Sequence, residues 1–369
     1  MILRGNILIK SGKIERITDS QSVIPTGIPQ IDASGNYVSP GFIDVHIHGI
    51  GGYDATAGDE ESLIQMGKAL VRFGTTTFLP TSVSMPTPQI RSFLQAVKNS
   101  MTRPSVGAKI AGANLEGPFL NPSKRGVHRE EYLQNPSLDA FKEITQGYEH
   151  FVKIITTAPE LEGGSELCRE YVHLGIVAAM GHTNATFEQA MKGIDAGITH
   201  ITHTFNAMSG LQGREPGAAG AALISNDVKA EIIADGLHLN PHVALLAIRA
   251  KGPDGIILVS DSMMPTGTQM TEFELCGTKG YVHDGGSFTD DGRLCGSLLT
   301  LDRAVRNLLS WGHLELPDVI RMASLNAARQ LAVGDRTGSL AEGKDADIVL
   351  LDRNLNVVST FIQGIQAYP

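Results

Sequence analysis

The chain has 369 residues, too many for one small domain and enough for a barrel with an appended module. It is 42% apolar and 19% charged with a formal net charge of −9, and without a long basic stretch this argues against nucleic acid as a partner. No apolar run approaches the roughly 18 residues of a membrane span. The three cysteines, Cys168, Cys276 and Cys295, are widely spaced and in no CxxC pair, which argues against a disulfide framework or a thiolate zinc site and suits a cytoplasmic protein. An anionic ligand remains compatible with the charge, provided that a few local donors hold it.

The chain opens with MILRGNILIKSGKIERI, where charge interrupts the apolar residues every few positions; this reads as strand–turn–strand and not as a signal peptide. Residues 1–40 and 338–369 both look all-β. Between them, strand-like runs occur at 41–48, 75–81, 109–115, 153–158, 176–181, 199–205, 229–235 and 255–261, the eight that a (β/α)8 barrel requires. Helical patterns intervene at 59–73, where Leu63, Met66, Leu70 and Phe73 recur at helix spacing, and at 85–100, 164–175, 186–196 and 241–251. Gly- and Asp-rich strands follow over 276–295, then two helices near 298–312 and 316–330. The terminal β segments are each too short to fold alone. The fold expected is therefore α/β: a TIM-like (β/α)8 barrel over 41–334, beside a small discontinuous β-sandwich domain of residues 1–40 plus 335–369.

Six residues able to bind a metal or move a proton sit where apolar strands end: His46 and His48 in GFIDVHIHG, Glu116 in NLEGPF, His182 in AAMGHTNA, His203 in THITHTF and Asp261 in IILVSD. Strand ends of an α/β barrel open onto one face, so residues far apart in sequence meet there. His46 and His48, two apart on a strand, point to the same side. Each has an ordinary alternative. The histidines can simply hydrogen-bond at a strand exit, and Glu116 can be a helix N-terminal carboxylate before Pro118. His200, three residues before His203, is expected on the opposite strand face as a structural residue. Buried carboxylates such as Glu116 and Asp261 are costly unless paired or ligating. Together the six point to a metal centre, where a divalent ion lowers the pKa of a water from about 15.7 to about 7 and polarises a carbonyl, with an aspartate carrying the proton. The chemistry implied is hydrolysis of an amide or related C–N bond.

The runs PGFIDVHIHG, LEGPF, GHTNA, HTFNAM, GREPG, IIADGLH and SDSMMPTG resemble the N-acetylglucosamine-6-phosphate deacetylases of the amidohydrolase superfamily over nearly the whole chain. Other branches bridge two metals with a carboxylated lysine on strand four; here that strand is KIITTAPE and its only lysine, Lys153, stands at the wrong end. The resemblance implies that Glu116, His182 and His203 hold the main ion, that His46 and His48 help hold a second, and that Asp261 is the general base and acid as well as a metal neighbour. The divalent ion implied is zinc, with iron, manganese or cobalt as alternatives, one or two per subunit.

The resemblance also implies substrate contacts: backbone N–H groups of Asn206 and Ala207 and the Arg214 guanidinium on the sugar phosphate, His238 on the substrate carbonyl, and His128 in the sugar and phosphate loop. Lys124 and Arg125 nearby read as a solvated basic face. The activity implied is hydrolysis of N-acetylglucosamine 6-phosphate to glucosamine 6-phosphate and acetate, in a cytoplasmic homodimer with Arg214 reaching the partner's site. Two alternatives are the same chemistry on another amino-sugar phosphate, such as N-acetylgalactosamine 6-phosphate, and a non-catalytic scaffold, which should have lost ligands that this chain keeps.

Overall fold

Runs rich in Val, Ile and Thr, apolar on both faces, favour strands buried on both sides, the environment of a parallel sheet. The computed structural model describes residues 2–23, 27–33, 35–103 and 107–369; residues 1, 24–26 and 34 of the expected N-terminal β segment lie outside these. Eight such runs form strands: Phe42–Ile47, Thr75–Ser82, Ala113–Glu116, Val152–Thr157, Val177–Met180, Ile198–Ile201, Lys229–Ile233 and Ile256–Val259. Each pairs in parallel with the next. The Asp261 N–H donates to His46 O at 2.9 Å and the His48 N–H to Ser262 O at 3.0 Å, joining the exit of strand eight to that of strand one. The result is the expected TIM-like barrel.

The elements depart from expectation where backbone geometry overrides side-chain pattern. The third run is two pieces: Lys109–Ile110 pairs with strand two, and Gly112, at φ 141°, separates it from Ala113–Glu116. The sixth strand ends at Ile201 instead of 205, because the chain turns through left-handed residues at His203 and Phe205 (φ 27° and 76°). The first helix is α over Glu60–Leu70 and tightens to a 3₁₀ turn over Val71–Phe73, so Val71 is buried where Phe73 was expected. The last helical segment is two helices, Leu316–Ala323 and Leu325–Gln330, parted at Ser324. Two helices are absent from the pattern, Leu138–Thr145 and Gly217–Ile224. The second, GAAGAALI, has small residues on every side and six of its eight are buried, so it carries no amphipathic stripe to read.

The ends of the chain meet. Tyr37–Pro40 pairs antiparallel with Ile348–Leu351, which continues into Val357–Ile362 and Ile365–Tyr368. The hairpin Gly5–Lys10/Lys13–Asp19 joins through a bridge from Lys13 to Asp345, over a core of Ile14, Ala346, Ile348, Leu350 and Phe361. Between strand eight and the last helices lies a three-stranded antiparallel sheet, Glu272–Leu275, Thr278–His283 and Gly286–Thr289. Its two-residue turns, Cys276-Gly277 and Asp284-Gly285, have positive φ at both positions, the geometry such hairpins require. No helix among the described residues is long and apolar enough to cross a membrane.

Candidate metal centre

The strand exits bring all six expected residues to one place. Two groups result, His46, His48 and Asp261, and Glu116, His182 and His203; within each, ligand atoms lie within 4.8 Å of one another and every residue is buried. Glu116 links them. Its Oε1 lies 3.0 Å from His182 Nε2 and 2.9 Å from His203 Nε2, and its Oε2 lies 3.3 Å from His48 Nε2. Asp261 Oδ1 lies 3.1 Å from His48 Nε2 and 3.6 Å from His46 Nε2. Glu116 ends its strand and no helix follows until the 3₁₀ turn Pro122–Lys124, so it is not a helix N-terminal carboxylate.

Local backbone serves this convergence. His182, His203, Ala207 and Asp261 all have left-handed φ (47°, 27°, 50° and 48°), which costs on the order of 1–3 kcal/mol each and persists only where the surroundings over-determine it. Gly49, after His48, must lack a side chain because a Cβ there would sit 2.5 Å from Met264 N. Gly181 is similar, with Thr202 Cβ at 2.6 Å.

Tautomers show what the site accepts. His48 Nδ1 donates to Thr81 O at 3.2 Å and His182 Nδ1 to Lys124 O at 2.8 Å. His46 Nδ1 donates to Glu231 Oε2 at 3.0 Å. When neutral, these three rings therefore each present a bare Nε2 toward the carboxylates, and those of His46 and His48 face each other at 3.3 Å, while His182 Nε2 meets His203 Nε2 at 3.0 Å. Acceptors that meet this closely repel unless a proton or a metal cation lies among them. The donor set, imidazole nitrogen and carboxylate oxygen, suits a divalent transition ion. His128 differs. Its Nδ1 accepts from the Ser84 N–H at 3.0 Å, so its Nε2 carries the proton and donates toward Glu116 Oε2 at 3.3 Å.

The electrostatics follow from burial and charge. Burial opposes the charge on His48, yet hydrogen bonds to Asp261 and Glu116 raise its pKa to about 9. Burial wins at His182 and pushes its pKa down to about 4, with His128 and His203 assisting. For Glu116 burial again opposes, but His46 and His128 hold the carboxyl well below its usual range. Asp261 is likewise held low against burial, by its bond to His48 and the charges of His46 and His48.

A cavity of about 520 Å³ opens over these residues, a size suited to a small polar ligand. His48, Glu116, His182, His203 and Asp261 form its floor, while His46 lies fully buried behind them. Of the expected substrate contacts, His128, Asn206, Ala207 and His238 line it. His238 Nδ1 bonds Asp235 Oδ2 at 2.7 Å; burial opposes its charge, but that carboxylate raises its pKa. The Asn206 N–H is already given to His203 O at 3.0 Å, so of that pair the Ala207 amide remains for a ligand. Arg214 does not line the cavity of its own chain; it is exposed in a turn closed by Gln212 N–H to Glu215 O. Lys124 and Arg125 are half-buried cavity walls, not a solvated face.

Sequence reasoning missed four groups. Arg293 lines the mouth and donates to Gly126 O at 2.7 Å, and nothing local marks it. Ser84 and Asp235 fix His128 and His238. Glu231 was legible as a charge inside the apolar run KAEIIA. His200 is not turned away by strand alternation: the strand stops at Ile201, and His200 Nε2 meets Glu231 Oε1 at 2.7 Å in the barrel interior.

Residues 37–366 match the Amidohydrolase family. The chain is 33% identical over 359 residues to an N-acetylglucosamine-6-phosphate deacetylase of Lysinibacillus sphaericus, covering 97% of this chain and 92% of that one. It is 34% identical over 342 residues to an N-acetylgalactosamine-6-phosphate deacetylase of Escherichia coli, covering 92% and 90%. Among solved structures, a mutant N-acetyl-D-glucosamine-6-phosphate deacetylase of Mycobacterium smegmatis in complex with N-acetyl-D-glucosamine-6-phosphate superposes with a TM-score of 0.93 at 28% identity, covering 100% of this chain and 96% of that one.

Proposed function

The chain belongs to the amidohydrolase family, and from that premise we propose that it hydrolyses the amide of N-acetylglucosamine 6-phosphate, releasing glucosamine 6-phosphate and acetate. The observation that carries the reading is the convergence of two ligand groups, one of them including Asp261, at the base of a single cavity. Glu116, His182 and His203 would hold the principal ion, and His46, His48 and Asp261 a second. A divalent ion so held lowers the pKa of a water toward neutrality and polarises the acyl oxygen.

The chain's own groups supply the rest. Asp261 takes the proton of the attacking water on a carboxylate oxygen and returns it to the departing amine nitrogen. His238, anchored by Asp235, donates from Nε2 to the acyl oxygen. The Ala207 amide donates to the sugar phosphate and His128 flanks it from the cavity wall while its Nε2–H stays on Glu116, with Lys124, Arg125 and Arg293 bringing positive groups to the mouth of an otherwise acidic chain. Arg214 serves the neighbouring subunit of a homodimer, its planar fork matching phosphate oxygens. The exposure of Leu211 (50%), three residues before Arg214, is consistent with an interface there. The reading assigns the enzyme to the cytoplasm, where its three free cysteines stay reduced, and zinc to its site by ligand type, with iron, manganese or cobalt competing.

Metal-stripped protein assayed on N-acetylglucosamine 6-phosphate, with defined ions added back, tests this. Activity that returns with a divalent ion supports it; no hydrolysis with any ion refutes it. The Escherichia coli relative favours one second reading, the C4 epimer as substrate. A kcat/KM larger for N-acetylgalactosamine 6-phosphate would select it.

A further inference from the structure

One buried carboxylate lies where no substrate reaches. Glu231 sits in the middle of strand seven (Lys229–Ile233), is wholly buried, and does not line the cavity. A carboxylate is costly there unless its oxygens are taken up. Its Oε2 accepts from His46 Nδ1 at 3.0 Å and from the His203 backbone N–H at 2.8 Å, and its Oε1 meets His200 Nε2 at 2.7 Å. His46 and His203 belong to different ligand groups. We propose that Glu231 is a positioning residue that ties the two metal-ligand groups together, one oxygen setting both the His46 tautomer and the His203 turn, with His200 as the brace on the other oxygen. The inference rests on the metal reading of the site.

A neutral imidazole that ligates through one nitrogen keeps its proton on the other. At His48 and His182 a backbone carbonyl holds that proton, and no substitution removes a carbonyl. At His46 the holder is a side chain. A carboxylate in that position also makes the distal nitrogen a stronger donor. His203 has the smallest positive φ of the site, 27°, and its amide is pinned to the same Oε2. Moving Glu231 therefore frees the His46 ring and the His203 turn together. His200 gains a reason to be buried: its Nε2 holds Oε1, while its Nδ1 has no hydrogen-bond partner among the described residues.

The test is Glu231→Gln, which keeps the shape and removes the charge, made in the full chain and loaded with zinc. Equilibrium dialysis against a competing chelator, followed by elemental analysis, should show an affinity lower by about 10- to 100-fold. At saturating zinc, KM for the substrate should equal the wild-type value, because Glu231 does not touch it, while the zinc needed for half-maximal activity rises. A folded variant that holds zinc as tightly as wild type overturns the proposal. Wild-type protein that retains no divalent ion overturns the metal reading itself. If the variant does not fold, ¹⁵N-histidine NMR of zinc-loaded wild type decides: a His46 proton on Nδ1 supports the proposal, and a proton on Nε2 overturns it.

Discussion

As the proposed general base, Asp261 works under opposed demands. It must be ionised to accept a proton, yet it is buried, and only the His48 contact at 3.1 Å and the nearby imidazoles hold its carboxyl low. Asp261→Asn keeps the shape and cannot carry a proton. Its kcat should fall by about 100- to 10,000-fold while Glu116, His182 and His203 still retain an ion, measured by steady-state kinetics beside elemental analysis. Near-normal turnover would remove Asp261 from the role. Glu116 makes a different demand, because both of its oxygens serve: Oε1 toward His182 and His203, Oε2 toward His48 and His128. Glu116→Ala should lose most of the bound metal. Unchanged metal content would put the principal site elsewhere.

Elements meet across a charged clasp. Lys109, on a short barrel strand, bonds Asp347 at 2.6 Å and Asp345 at 3.4 Å, just before terminal strand Ile348–Leu351; Lys13 and Arg336 reach Asp345 at 3.2 Å and 3.5 Å. Both aspartates are buried, so removing their shared cation strands negative charge in a low dielectric. Lys109→Met should destabilise by an amount toward the lower end of about 3–5 kcal/mol, since Asp345 keeps two other cations. The pH dependence has a definite sign. Against the cost of burial, the Lys109 charge holds Asp345 below its ordinary value. A depressed acid contributes stability above its unfolded pKa, about 3.9, and that contribution disappears as pH falls through the folded pKa. The wild-type advantage over Lys109→Met should thus be full at pH 7 and shrink below about pH 4 in urea titrations. A gap independent of pH would show that packing, not charge, holds the two parts together.

For the molecule as a whole, the question is how an acidic chain grips a dianion. On the proposed reading, three basic residues at the cavity mouth and an exposed Arg214 outside it divide the task. N-acetylglucosamine without its phosphate should show a far lower kcat/KM, and comparable values for the two sugars would refute phosphate recognition. If Arg214 acts on the partner's ligand, subunits carrying Arg214→Ala and Asp261→Asn should complement each other. In the mixed dimer the first keeps its chemistry and borrows an arginine from the second. Part of the activity should return at low substrate on co-expression. Mixed dimers that stay inactive would confine the arginine to its own chain.

Much of this was legible before any coordinates. Strand-end placement in a parallel barrel is a topological rule, so His46, His48, Glu116, His182, His203 and Asp261 could be gathered by reading where apolar runs stop. The eight strands were legible for the same reason: burial on both faces leaves a continuous apolar run. What sequence did not determine lies in contacts between distant strands. Glu231 is one acid in an apolar run until His46 and His200 arrive from strands one and six. Arg293 gains meaning only when Gly126 lies against it. The strand six boundary and the aim of His203 depended on left-handed backbone, which no period of apolar residues encodes. Helix Gly217–Ile224 escaped because small residues bury on every side. Local pattern determines which face a residue is on; which charged partner waits there is decided only when the barrel closes, because burial makes each ionised group require a specific counterpart.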